Sequence, residues 1–322
     1  IMLSVLVATC PCALSLATPT AITCSTSRMG NFGILLRKGH VFETLCKVNH
    51  LIIDKTGTLT EGDIRISKVE TFADLDKEIC LQVAASLEQH ANHPIAKAFK
   101  THLSDDIEVE SVNNVIGSGM TGEWNGQEVA IGSSEFIRCE AQPSESNGIY
   151  LSMAGRHIAT FTYEDPIRKE SIEFIKQFKE AGIKTTLLTG DSLINAKPVA
   201  AKIGITNIVA NAKPEDKLAY LNSRDASDIT MMVGDGINDA PILAGAHLSV
   251  AMGGGTDVAK ASADMVLLGD KLDRLLKSRT LALKTRKIIR ENLAWSLGYN
   301  LLIIPLAVSG LVAPYIAVVG MS

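Results

Sequence analysis

The chain has 322 residues, 46% of them apolar, with 31 basic and 35 acidic side chains for a net charge of −4. A near-neutral balance, with no aromatics interleaved among the basic residues, excludes a nucleic-acid surface. Six cysteines without an extracellular spacing pattern exclude a disulfide scaffold and are expected to be reduced. Residues 1–27 hold no Asp, Glu, Lys or Arg, and an uncharged apolar run of about 20 residues is bilayer length. Inside it, Cys10 and Cys12 flank Pro11. Residues two apart on a straight helix point to nearly opposite sides, but proline removes a hydrogen bond and kinks the helix, so both sulfurs can approach one point. Two readings stand: small apolar side chains at a packing kink, or a pair of ligands, since buried thiolates require a cation.

Arg28, Arg37, Lys38 and Lys47 follow this run, and Lys277, Arg279, Lys284, Arg286, Lys287 and Arg290 precede a second uncharged stretch from residue 292 onward. The basic excess puts the intervening region on the cytoplasmic side. The expected organisation is a kinked membrane helix at 1–28, a linker at 29–47, a second membrane helix at 284–310 and the start of another at 311–322. The sequence thus reads as part of a longer membrane protein.

The first cytoplasmic element is "VNHLIID" (48–54), a short apolar run ending in an acid, as a buried parallel strand does. "KTTLLTGD" (184–191), "NIVAN" (207–211), "ITMMVGDG" (229–236) and "LSVAMG" (248–253) repeat the pattern, and "RKESIEFIKQFKEAG" (168–182) has helical spacing with a closing glycine. Alternating strands and helices predict an α/β doubly wound parallel sheet, with ligands at the C-terminal edge of its strands. Residues 69–163 break the rhythm with two helical stretches and then glycine-punctuated antiparallel strands. They predict an inserted α+β domain, leaving 48–68 and 164–275 as the domain that carries the sheet.

Asp54 stands where the first strand ends, in "DKTGTLT", a turn rich in groups that can hold phosphoryl oxygens while the carboxylate attacks. Asp235 and Asp239 in "GDGINDAP" suit Mg²⁺, which takes a few carboxylates plus water and phosphate. Thr189 in "TGD" is a hydrogen-bond donor, and Lys217 in "KPEDK" a point charge for a phosphoryl group. In this order the four motifs resemble those of the P-type ATPases, within the haloacid dehalogenase-like fold, and the resemblance runs along the whole chain. It implies ATP hydrolysis through a phosphorylated Asp54. Lys55, Thr56, Thr189, Gly190, Asp191, Lys217, Asn238 and Asp239 would complete the catalytic set, and Asp54, Thr56 and Asp235 would hold Mg²⁺. Many soluble hydrolases of this fold have a second aspartate two residues after the nucleophile; here Thr56 stands there. Without that general acid/base, water attack on an aspartyl phosphate is slow, which favours a pump over a phosphatase.

"SLEQHANHPIAKA" (86–98) and "GSGMTG" (117–122) resemble the nucleotide-binding insert of the heavy-metal-transporting branch, which implies that Glu88, His93, Gly117 and Gly119 contact ATP. Where that branch often has Gly-Asn, this chain has Gly132-Ser133. "TGE" at 121–123 overlaps the glycine motif and is taken as coincidence. The Cys-Pro-Cys run resembles the same branch, and "NLAWSLGYNLLIIPLA" (292–307) its copper-exporting subgroup. That implies a Cu(I) site of Cys10, Cys12, Tyr299, Asn300, Met321 and Ser322, with soft sulfur ligands suited to the ion, and a copper chaperone and membrane lipid as partners. A zinc/cadmium pump is the alternative. Cys24, Cys46, Cys80 and Cys139 are expected to be structural. Asp165 and Arg168, in "DPIR", resemble a family hinge, or serve as a helix cap and a surface charge.

Overall fold

The computed structural model describes residues 12–73, 75–91, 95–115, 118–138, 148–235 and 239–311. In chain order its strands are β1 (Ile34–Leu36), β2 (His50–Ile53), β3 (Arg65–Thr71), β4 (Glu110–Val115), β5 (Gly119–Trp124), β6 (Gln127–Gly132), β7 (Gly148–Met153), β8 (Arg156–Glu164), β9 (Lys184–Leu188), β10 (Asn207–Val209), β11 (Thr230–Gly234), β12 (Leu248–Met252) and β13 (Met265–Leu267). They fall into two compact units. The first comprises residues 1–54, 172–188 and 212–322, the second 55–171 and 189–211.

In the first unit the strands run in the order β1-β13-β12-β11-β2-β9. All neighbours are parallel except β1 and β13. Every residue of β2, β11 and β12 is buried, as expected for strands covered on both faces. The Ser171–Glu180 helix has Phe174, Ile175 and Phe178 buried on one stripe. The antiparallel edge pair was not anticipated. "ILL" at 34–36 lies within the expected linker and is too short for period-2 alternation to mark it as a strand.

In the second unit six strands form an antiparallel sheet in the order β3-β8-β7-β6-β5-β4. Its core joins Phe99 and Phe161, edge-to-face at 5.1 Å between ring centroids, with Leu87, Val129, Ile131 and Leu151. β3 pairs with β8 from Arg65 onward, so the sheet starts four residues before the boundary expected at 69. Thr121–Glu123 lie within β5. Gly119 and Gly132 face each other across β5 and β6. A Cβ on Gly119 would stand 2.1 Å from the Ile131 carbonyl oxygen, and one on Gly132 2.4 Å from that of Ser118.

Two helices lie outside the sheets, Cys12–Asn31 and Asp273–Val308. Both belong to the first unit, and Ser25 Oγ meets Thr285 Oγ1 at 2.6 Å in a buried contact between them. Among the described residues no helix is long and apolar enough to cross a membrane; part of the first expected span, over 1–28, lies outside them. The Asp273–Val308 helix is charged up to Glu291, and Asn292, Ser296, Tyr299 and Asn300 dilute its apolar second half. The described part of the first run is rich in Ser and Thr. Residues 1–11 and 312–322 lie outside the described residues.

Because the atom met at Gly119 is backbone, Gly119→Ala has no cheap relaxation. It is expected to destabilise the second unit by about 1–3 kcal/mol, measurable as a lowered thermal midpoint with the substituted chain set beside the unsubstituted one.

Candidate functional site: a lysine between carboxylates

Asp54 follows β2 directly, and its backbone N–H donates to the Val233 carbonyl of β11 at 3.0 Å, so the central strands fix where its side chain begins. Lys217, on the Pro214–Asn222 helix, places Nζ 2.7 Å from Asp54 Oδ1 and 2.7 Å from Asp239 Oδ1. All three side chains are buried. Asp235 joins them: one carboxylate oxygen from each of Asp54, Asp235 and Asp239 lies within 4.8 Å of the others. Gly234 makes this approach possible, since a Cβ there would come within 2.7 Å of Asp239 Oδ2.

Burial pushes the Asp54 carboxyl up to about 7, and the nearby Asp239 and Asp235 carboxylates act in the same direction against the opposing pull of Lys217. For Lys217, burial alone would lower the pKa, but Asp54 and Asp239 outweigh it and hold the ammonium above the ordinary lysine value. The cluster therefore carries more negative charge than its one cation balances. Three carboxylates converging without a competing nitrogen ligand form an oxygen donor set that fits Mg²⁺. Asp239, expected in the catalytic set, thus stands among the cation-binding oxygens as well.

The remaining loop residues belong to the second unit. Lys55 forms an ion pair with Asp191. The Asp191 N–H donates to Thr189 Oγ1 at 3.2 Å, and the Thr189 N–H donates to the Val209 carbonyl. Thr189 is buried, whereas Thr56 and Gly190 are exposed. Asp165 and Arg168 resolve into something more definite than a cap and a surface charge. Asp165 accepts from the Thr60 hydroxyl and from the Gly62 N–H, and Arg168 donates to the carbonyls of Thr58 and Gly57 at 3.0 and 2.9 Å. Together they clamp the loop that follows the candidate nucleophile.

The same unit contains a cavity of about 490 Å³ lined by Glu88, Ile95, Gly119, Gly132, Ser133 and Tyr163, among others. Glu88 ends the Lys77–Glu88 helix, and burial raises its carboxyl. Ser133 uses its hydroxyl to cap the Ser134–Ile137 helix, accepting from the Phe136 N–H at 3.2 Å. Tyr163, Asn114 and Met120 also line the cavity. Sequence reasoning missed them because only strand register shows which way they face. Cys10, His93, Gly117, Asn238, Met321 and Ser322 lie outside the described residues, as does the side chain of Cys12. Tyr299 and Asn300 are half-buried on the Asp273–Val308 helix.

A parallel sheet with an acid ending its central strand, a second acidic strand end beside it and a lysine between them defines a class of phosphoryl-transfer enzymes. The sequence model of the "haloacid dehalogenase-like hydrolase" family matches residues 48–247, and the chain belongs to that family. Within it the chain falls among the P-type ATPases. It is 35% identical over 328 residues to a copper-exporting P-type ATPase of Mycobacterium leprae, covering 98% of this chain and 42% of that protein. Of solved structures, a zinc-transporting PIB-type ATPase in an E2.Pi state superposes with a TM-score of 0.84 at 30% identity, over 97% of this chain and 54% of that one. The catalytic domain of a CPx-ATPase, studied upon nucleotide binding, gives 0.68 at 28% identity, over 79% of this chain and 98% of that one. The chain thus spans less than half the length of the copper-exporting relative.

Replacing Lys217 by Ala leaves Asp54 and Asp239 buried without their cation, so stability is expected to fall by about 3–5 kcal/mol, read by urea unfolding without divalent ions. Mg²⁺ should restore part of that loss, and restore less when Asp235→Asn is added.

Proposed function

We propose that this chain is the catalytic portion of a pump that exports Cu(I) across a membrane, driven by ATP through a phosphorylated Asp54. The observation that carries this reading is the cluster of buried Asp54, Lys217 and Asp239 with half-buried Asp235, found with a cavity-bearing insert in one chain. Glu88 and the Gly119–Gly132 strand pair, with His93 and Gly117, take up ATP. Asp54, deprotonated and placed by its backbone bond to the Val233 carbonyl and by the Lys217 ammonium, attacks the γ-phosphorus of ATP; the bond from phosphorus to the β,γ-bridging oxygen breaks and ADP leaves. The Lys217 point charge offsets charge gathering on the phosphoryl oxygens, and Thr189, Lys55, Asn238 and Asp191 serve the same group. Asp54, Thr56 and Asp235 would hold Mg²⁺, with Asp239 beside them, and the ion would supply further charge neutralisation.

Thr56 gives the phosphoenzyme its lifetime. No acid stands two residues after Asp54 to activate water, so the acyl phosphate persists long enough to bias a conformational change. The cargo site is assigned to Cys10, Cys12, Tyr299, Asn300, Met321 and Ser322. Thiolate and thioether ligands favour Cu(I), as does the similarity to a copper-exporting relative. Trp295, Leu297, Leu301 and Leu302 are exposed along the end of the Asp273–Val308 helix. They support a lipid or helix-packing environment there, with the phosphorylation and nucleotide units on the cytoplasmic side and a copper chaperone as the donor. The zinc-transporting structural relative supports a second reading, with Zn²⁺ as cargo.

The test is acid-stable label from γ-labelled ATP in the full-length protein, with Cu(I), Zn²⁺ or a chelator, and Asp54→Asn as control. Label that requires Cu(I) and vanishes in the control is expected. Label with Zn²⁺ alone reassigns the cargo. Label at Asp54 indifferent to metal replaces the pump with a phosphatase. In a separate experiment, Thr56→Asp should accelerate decay of the phosphoenzyme by about tenfold or more, followed by chasing the label with unlabelled ATP.

A further inference from the structure

The Pro214–Asn222 helix has nine residues, and only Lys217 and Leu221 are buried. One of its two buried side chains is therefore the cation whose placement matters, and apolar packing alone anchors the helix weakly. Its other firm attachment is polar. Tyr220, three residues after Lys217, places its hydroxyl 3.3 Å from Thr186 Oγ1 in β9. Thr186 Oγ1 lies 2.9 Å from His50 Nε2 in β2, the strand that leads into Asp54. His50 Nδ1 lies 3.4 Å from Asp228 Oδ2, and Asp228 Oδ1 accepts from Lys184 Nζ at 3.1 Å. At the other end the Arg224 guanidinium lies 4.1 Å above the Tyr220 ring, and its NH1 donates to the Tyr220 oxygen at 3.3 Å.

The chain of hydrogen bonds has one consistent direction. Burial lowers the His50 pKa, Asp228 acts to raise it, and the Arg224 and Lys184 cations act with burial. With the ring proton on Nδ1, which lies toward Asp228 without a hydrogen bond to it, Nε2 accepts from the Thr186 hydroxyl. Thr186 has one proton to give and therefore accepts from Tyr220, whose oxygen accepts from Arg224. His50 and Thr186 are 2% and 0% exposed, and a buried donor or acceptor without its partner is costly, so each link holds the next in place.

We infer that Tyr220 is a positioning residue. Through the Thr186–His50–Asp228 chain it fixes the Pro214–Asn222 helix against β9 and β2, and so holds Lys217 Nζ at equal reach of Asp54 and Asp239. This rests on Asp54 as the phosphoryl acceptor. Sliding or tilting of the helix by a fraction of an ångström would lengthen one of the two 2.7 Å contacts, and charge neutralisation at the acceptor is sensitive to displacement on that scale.

Initial rates of phosphoenzyme formation in the full-length protein, across a range of ATP concentrations, test this. Tyr220→Phe keeps the ring beneath Arg224 and removes the link to Thr186. It is expected to slow labelling at saturating ATP by about three- to tenfold, with the half-saturating ATP concentration unchanged. Thr186→Val should match it, the double variant should be no slower than either single one, and Thr186→Ser, which keeps the hydroxyl, should restore the rate. Trace acylation of lysines read by mass spectrometry gives a second measure, in which Lys217 becomes more reactive in Tyr220→Phe. An unchanged rate with Lys217 equally protected, or additive effects of the two substitutions, overturns the inference. If the unsubstituted chain takes no Asp54-dependent label, the phosphorylation reading falls instead, and the reactivity of Lys217 decides the positioning role by itself.

Discussion

One ammonium group holds the centre of the first unit together. Lys217 bridges Asp54 and Asp239, and without it three carboxylates brought within 4.8 Å of one another would share a buried space with nothing to offset their repulsion. The arrangement is deliberately short of positive charge. A fully neutralised cluster would be a structural salt bridge; a cluster with excess negative charge attracts a divalent ion and, with it, an anionic substrate. Burial raises the Asp54 carboxyl first, and the neighbouring carboxylates push it in the same direction. Gly234 serves the same end, because the strand must end without a side chain for Asp239 to come close.

The insert answers a different requirement. A small-molecule site is a concave, mostly apolar cavity with a few polar groups. The antiparallel sheet offers one, by pairing Gly119 with Gly132 so that two strands close tightly at the cavity wall, and by burying Glu88 at the end of a helix. Ser133 fits this arrangement: its oxygen caps the next helix, which a longer amide side chain would do from a different distance.

Much of this was legible in the sequence because the signals are local. An apolar run at residues 51–53 followed by Asp54, and another at 231–233 leading through Gly234 to Asp235, announce buried strands whose ends carry acids. Lys217 was legible as a point charge for a phosphoryl group, whereas its pairing with both Asp54 and Asp239 emerges only in the structure. Long-range geometry was not legible. β1 is three residues long and pairs with β13, more than 220 positions away; nothing within a window of ordinary length marks it. Tyr163 reaches the cavity only because of its register in β8. Ser, Thr, Asn and Tyr lower the hydropathy of the described helices at either end.

The clamp on the loop after Asp54 carries a consequence for how the chain comes to be folded. Thr58, Thr60 and Gly62 are held by Asp165 and Arg168 across sequence separations of 103 to 110 residues. Between them lies the entire insert. As the chain leaves the ribosome, the segment after the nucleophile is made early and has no partner until the insert has been completed behind it. Closing a long loop costs chain entropy, and that cost falls once the intervening residues have collapsed into a sheet whose two ends, β3 and β8, lie side by side. The insert thus has a part in folding: its own assembly brings Asp165 and Arg168 back to the loop after Asp54.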